Sequence, residues 1–395
     1  GFFAKDSISD NIDLHSFARW LMIHDIICST DPSGSNLYLS KYDNSPSSGV
    51  SNKYKTISSG SKELDKALEG GFFKQSTNYI LGAPSVGKTT YALNLVENFL
   101  QDNYVMYFSL EMSKRELIAK SVSRLTRIRA EKDNKPNFNT DTIGVIQAKK
   151  FNQFSEDKKQ YINESIDLYF TYAKNMFIFE SNPRKRFTVE DIEKIIINHK
   201  QKTGQKDIIV IIDYLQIMKS TDTHLNEKQF IDNTITTLKG IATENDITVI
   251  AISSLNRASY DKETDLTSLK ESGAIEYTSD LVLALDYTIY KELSPKGDRY
   301  NEILSKQEAE LISKKNKLIA ESIKEDNDKG YKRVSLTILK HRYGESRQYT
   351  NFKFFIRNNL FTELKNNEPN FTDLGEMLKE SSKKQTEELS QDLPF

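Results

Sequence analysis

The run Gly82-Ala83-Pro84-Ser85-Val86-Gly87-Lys88-Thr89 fits the pattern G-x-x-x-x-G-K-[ST] without a mismatch. It lies between a strand pattern, Tyr79-Ile80-Leu81, and a helix pattern from Thr90 to Leu100, the context in which such a run forms a phosphate-binding loop. Gly82 and Gly87 let the backbone turn tightly, so that consecutive N–H groups face one point at the positive end of a helix. That point suits the phosphates of a nucleotide, held by the stretch from Gly82 to Thr90. Lys88 neutralises the β and γ oxygens, and the Thr89 hydroxyl is offered to Mg²⁺. A chain built around this loop must contain a strand-loop-helix unit, which already narrows the fold.

From Thr56 to about Tyr287, short β-rich runs alternate with helical stretches: Asn78 to Gly82, Tyr104 to Ser109, Met176 to Glu180, Asp207 to Asp213, Thr248 to Ser253 and Asp280 to Leu285. This rhythm predicts an α/β fold with a mainly parallel central sheet covered on both faces. Two more strand patterns, Val334 to Leu339 and Asn351 to Ile356, close the domain. Between them and the core, residues 291–331 are charged and dotted with Leu and Ile, and are expected to form an inserted helix or hairpin on the solvated surface. The expected organisation is an amphipathic helix (9–27) and a Ser/Gly/Pro-rich connector within 1–55, a motor domain over 56–362, and a largely disordered acidic tail over 363–395.

A nucleotide site needs a carboxylate near the metal and another to take a proton from water. The apolar run from Ile208 to Ile212 ends at Asp213, which places that acid at the end of a buried strand, suited to Mg²⁺. Glu111 follows the strand Tyr104 to Ser109. A neighbouring parallel strand would bring it beside the γ-phosphate as general base, whereas on local pattern alone it equally fits a helix-start acid. Lys+Arg number 55 and Asp+Glu 56, so any nucleic-acid contact must be local rather than a global field. No apolar run approaches the roughly 18 residues of a membrane span, no basic-then-apolar leader opens the chain, and Cys28 is the sole cysteine. These features predict a soluble, cytoplasmic protein with no disulfide, no cysteine-built metal site and no membrane partner. The five histidines form no metal-like cluster.

The stretch Phe108-Ser109-Leu110-Glu111-Met112-Ser113, with Glu116-Leu117 and Ser123-Arg124-Leu125, resembles the DnaB-type replicative helicase family. The resemblance continues through Asp213-Tyr214-Leu215-Gln216-Ile217-Met218, Ser253 to Arg257, and Leu269-Lys270-Glu271-Ser272-Gly273-Ala274-Ile275-Glu276, and spans roughly Thr56 to Ile356 in order. The opening Ser59-Gly60-Ser61-Lys62-Glu63-Leu64-Asp65 is shared more widely with RecA-like ATPases. Membership implies a RecA-like motor domain, an ATP-dependent DNA helicase working as a homo-hexameric ring on single-stranded DNA, and nucleotide bound at each subunit interface. It makes Glu111 the catalytic base and Asp213 the metal-shell acid. In Lys340-His341-Arg342-Tyr343-Gly344 it makes Arg342 an arginine finger, with Lys340 as companion, acting on a neighbour's γ-phosphate. The Arg-Tyr-Gly-Glu wording is closer to T-even phage-type helicases.

By the same resemblance Lys270, Glu271 and Gly273 belong to a channel loop that holds the single-strand backbone, a role that Lys270 and a free N–H at Gly273 can serve irrespective of sequence. Locally, Ser268 to Glu271 has instead the pattern of an ordinary capping box, and Ser272-Gly273 that of a cap for a following helix. Ser254 departs from the family, which carries Gln there as a γ-phosphate sensor, and Asn256 is one candidate replacement. Too few residues precede the motor for the family's primase-binding collar, which fits either a compact phage or mobile-element helicase or a chain that has lost its front end. Primase or a helicase loader is an implied partner. The 9–27 helix, with Phe17 and Trp20 as anchors, docks either on an adjacent subunit or on its own domain. The terminal Asp392-Leu393-Pro394-Phe395 is similar to the tip of bacterial single-strand-binding proteins and suits an apolar pocket rimmed by Arg or Lys. A RecA-like regulatory scaffold and a strand-exchange recombinase are the competing readings.

Overall fold

The computed structural model describes residues 55–364 except 182–183, 185, 206, 220–223, 256–258, 261–262, 269–272 and 293–307, and except the side chains of 227, 267, 292 and 308–316. The expectations for the 9–27 helix, its connector, the tail and its tip, and for Asn256, Lys270 and Glu271, lie outside the described residues.

Strand β1 (Thr56–Ile57) pairs with β2 (Phe72–Phe73) around helix α1 (Lys62–Ala67). Ser61 caps α1 by accepting from the Leu64 N–H, and the Asp65 carboxylate accepts from Ser58 Oγ (2.5 Å) and the Ser59 N–H (2.8 Å). The Ser-Gly-x-x-x-Leu-Asp wording is therefore a self-satisfied helix start, in which acceptors take up N–H groups that the first turn leaves unpaired.

The strands β3 (Thr77–Gly82), β4 (Tyr104–Ser109), β5 (Met176–Glu180), β6 (Ile208–Asp213), β7 (Thr248–Ser254), β8 (Leu281–Tyr287), β9 (Lys332–His341), β10 (Tyr349–Phe355) and β11 (Leu360–Glu363) form one sheet in the order β11-β10-β9-β8-β3-β7-β6-β4-β5. From β8 to β5 the pairs are parallel; β9, β10 and β11 extend the sheet antiparallel. The predicted mainly parallel sheet is present. Strand β11 adds an edge that its four residues, Leu-Phe-Thr-Glu, did not announce.

Helices cover both faces. They are α2 (Lys88–Phe99), α3 (Lys114–Lys132), α4 (Thr142–Ile146), α5 (Ala148–Asn152), α6 (Glu156–Tyr172), α7 (Val189–Thr203), α8 (Glu227–Glu244), α9 (Gly273–Thr278), α10 (Thr288–Glu292) and α11 (Glu308–Asp328). In β6 the side chains alternate: Ile209 and Ile211 join Leu93, Val96 and Leu117 from α2 and α3, while Ile208, Val210 and Ile212 join Ile192, Ile196, Ile235 and Leu238 from α7 and α8. A period of two on a strand buried on both sides explains why the run is apolar throughout.

The inserted segment is helical over α11, as expected, but its C-terminal half is not a free surface excursion. Buried Asp326 accepts from Arg333 Nε at 2.8 Å and from the Arg333 N–H at 3.0 Å, and Ser322 Oγ accepts from Arg333 Nη2 at 2.8 Å, which fastens α11 to β9.

Candidate active site

In an open parallel sheet the ligand crevice lies beyond the carboxyl ends of the strands, where strand order reverses. Here that end of β3 carries the phosphate loop, β6 carries Asp213, β4 leads to Glu111, and β7 ends at Ser253 and Ser254. Glu111 is not on a strand adjacent to β3, contrary to the sequence expectation, because β7 and β6 stand between them. It is still brought to the site: the Leu110 N–H donates to the Asp213 carbonyl at 2.8 Å, tying the start of its loop to the β6 end. Its exposed carboxylate acts electrostatically on both Lys88 and Asp213.

The loop needs its glycines. Gly87 has φ +109°, and a Cβ there would meet Phe354 Cε1 at 2.8 Å. At Gly82 a Cβ would fall 2.7 Å from the Leu285 carbonyl oxygen. Helix α2 begins at Lys88 itself, two residues before the predicted start, so Lys88, Thr89 and Thr90 form its first turn, where N–H groups lack intrahelical partners. Lys88 Nζ folds back to donate to the carbonyls of Gly82 (2.8 Å) and Ala83 (2.9 Å). Burial pulls its pKa down to about 8, against the opposing pull of Asp213 and Glu111.

Asp213 is buried, and burial pushes its carboxyl up from the usual range. Its Oδ2 accepts from the Tyr107 hydroxyl at 2.9 Å, and the Thr89 side chain also bonds to it. Thr89 and Asp213 are thus already associated, a pairing of hydroxyl and carboxylate oxygens suited to a hard divalent cation. Lys120 stands behind α2, its Nζ donating to Asn359 Oδ1 (3.0 Å) and Thr90 Oγ1 (3.4 Å).

Ser254 sits at the end of β7 but does not itself face the site with a long arm. Instead the Gln216 side chain grips this strand end, donating to Ser253 Oγ (2.8 Å) and accepting from the Ser254 N–H (3.3 Å). Gln216 stood in a quoted motif without a role, and Tyr107 read simply as core. Neither signal was absent; what each contacts depends on the sheet order.

Gly273 is the first residue of α9, so the local helix-start pattern is realised there. Arg342 and Lys340 lie at the opposite end of the sheet from the phosphate loop. His341 pairs with Leu281, and the Arg342 N–H donates to the Asp280 carbonyl (2.8 Å). Arg342 Nη1 donates to Asp280 Oδ1 (3.0 Å), and Lys340 Nζ donates to the carbonyls of Glu276 and Ser279 (2.7 Å for the latter) at the end of α9. The structure therefore brings Lys88, Thr89, Asp213 and Glu111 together and holds the basic pair apart from them.

The model of the family described as DnaB-like helicase C terminal domain matches residues 56–363. The chain is similar to the Replicative DNA helicase DnaB of Rickettsia typhi (strain ATCC VR-144 / Wilmington), 28% identical over 306 residues, which cover 73% of this chain and 53% of that protein. It is 30% identical over 253 residues to the Probable replicative DNA helicase of Trieres chinensis, covering 62% of this chain and 50% of the relative. The chain spans about half the length of the curated relatives it matches. Among solved structures, an isolated ATPase domain gives a TM-score of 0.57 at 23% identity over 90% of this chain and 100% of that one. A DnaB-like replicative helicase, solved in a study of its interactions with primase, gives 0.58 at 22% over 87% and 67%. Both support the RecA-like fold. With a match that runs from β1 to β11 and takes in the phosphate loop, the acids and the basic pair, the chain belongs to the DnaB-like helicase C-terminal domain family.

Proposed function

We propose that this chain is the motor of an ATP-driven replicative DNA helicase, acting as a homo-hexameric ring that translocates on single-stranded DNA and parts the duplex at a fork. One observation carries this reading: the groups needed for hydrolysis are divided between two ends of the sheet. Asp280, which holds Arg342, receives the N–H of Thr77, and Thr77 is five residues of strand from Gly82. At about 3.3 Å per residue that is about 16 Å, beyond the reach of an arginine side chain. Arg342 and Lys340 therefore serve a second copy, and each complete site needs two chains.

Within one chain, Lys88 and the first-turn N–H groups of α2 bind the phosphates, and Thr89 with Asp213 is the pair that would hold Mg²⁺. When bound with ATP, the cation neutralises charge on the β and γ oxygens. Glu111 accepts the proton of the attacking water, and a neighbour's Arg342, with Lys340, stabilises charge on the equatorial oxygens. Lys270, Glu271 and the Gly273 N–H grip the DNA backbone. Partners consistent with the family are primase or a loader, and a tip-recognising protein at Asp392–Phe395; the setting is the cytoplasm of a bacterial cell or phage-infected host.

Single-stranded DNA should raise ATP turnover in the wild-type protein, and Lys270→Ala should lose most of that stimulation. Turnover indifferent to single-stranded DNA would contradict the proposal.

A further inference from the structure

We infer that Asp280 is the positioning residue of the trans-acting Arg342, a buried carboxylate that fixes the finger where a neighbouring copy can use it. The inference rests on the in-trans role proposed above for Arg342 and adds the group that makes that role geometrically defined.

The two oxygens of Asp280 do different things. Oδ2 is locked into the chain's own fold: it accepts from the Thr77 N–H at 2.8 Å, from Thr77 Oγ1 at 3.3 Å, and from Lys239 Nζ of α8. Oδ1 is turned to Arg342 Nη1 at 3.0 Å. The carboxylate is 4% exposed whereas the Arg342 side chain is 51% exposed. A rigid buried acceptor thus holds one edge of a guanidinium that otherwise stands at the surface.

The backbone repeats the attachment, since the Arg342 N–H donates to the Asp280 carbonyl just beyond the last pair of β8 and β9. Fixing both main chain and side chain removes much of the rotamer freedom that an exposed arginine would lose on engaging a phosphate. Lys239 has a separate part. By sharing Oδ2 it leaves the site with two cations around one carboxylate, so Arg342 keeps net positive character toward an anion. Lys340, next but one in sequence, is held by the carbonyls that end α9, so the basic pair is braced at two points on one short segment.

The test uses rings of the full chain mixed from two variants. Asp280→Asn removes the charge while keeping an oxygen for the Thr77 N–H. Because Asp280 is at the far end of β3 from the phosphate loop, this variant should bind ATP analogue as wild type does, yet turn over about 10²-fold more slowly, the loss expected for a misplaced catalytic group. In an Arg342→Ala background the same substitution should cost nothing further. Mixed with Lys88→Ala subunits, which bring an intact finger but a dead phosphate loop, both Asp280→Asn and Arg342→Ala subunits should regain turnover. Rescue of Arg342→Ala but not Asp280→Asn would overturn the inference alone. Failure to rescue Arg342→Ala would overturn the in-trans finger and the inference with it. Wild-type turnover by Asp280→Asn would also overturn it. If that variant melts below the assay temperature, Asp280→Glu, which keeps the charge on an arm one methylene longer, replaces it with the same expected pattern.

Discussion

At the scale of residues, charge state is the most testable consequence. Lys88 in the nucleotide-free chain has its pKa pulled by burial to about 8, and a bound phosphate raises it by opposite charge. Protonated lysine binds phosphate better, so ATP affinity should be constant below about pH 8 and weaken as pH rises through that value. Titration calorimetry across this range checks it, and the slope should vanish in Lys88→Met. Glu111→Gln keeps the shape of the side chain but not the proton acceptor. Nucleotide binding should survive, while hydrolysis falls by about 10²- to 10⁴-fold in a single-turnover assay. Gly87→Ala forces a Cβ onto a left-handed residue and against Phe354, so thermal unfolding should show a loss of at least about 1–3 kcal/mol. Lys88, Thr89 and Asp213 were legible in the sequence because a contiguous motif and one apolar run define them. Asp280 and Tyr107 were not, since each acts on a residue 62 or 106 positions away that only the folded sheet supplies.

Elements show where pattern stops being informative. Alternation announced the parallel strands and placed their ends within a residue or two, since burial on both faces demands continuous apolar runs. It did not give their order, so Glu111 was expected on a strand next to the phosphate loop rather than beyond two intervening strands. Strand β11 was missed because four residues are too few to show a period. Yet Phe361 of β11 stacks on Phe354 of β10 with ring centroids 4.3 Å apart, and both rings close over Gly87. Phe361→Ala should therefore cost about 3–5 kcal/mol in chemical denaturation. It should also weaken nucleotide binding, because the rings that seat the loop are lost.

For the whole molecule, near-neutral charge ceases to argue against DNA once copies share a channel, since a few gripping residues per chain are multiplied by symmetry. The ring itself was legible only through family resemblance; the folded chain adds a physical reason for it, in acids and basic pair placed at opposite ends of one sheet. The most direct measurement of the central claim is unwinding of a forked DNA duplex with ATP by the wild-type chain and by Glu111→Gln. Strand separation by the wild type and none by the variant, with ring assembly retained in both, is the predicted result; unwinding by Glu111→Gln, or none by an assembled, ATP-hydrolysing wild-type ring, would contradict it.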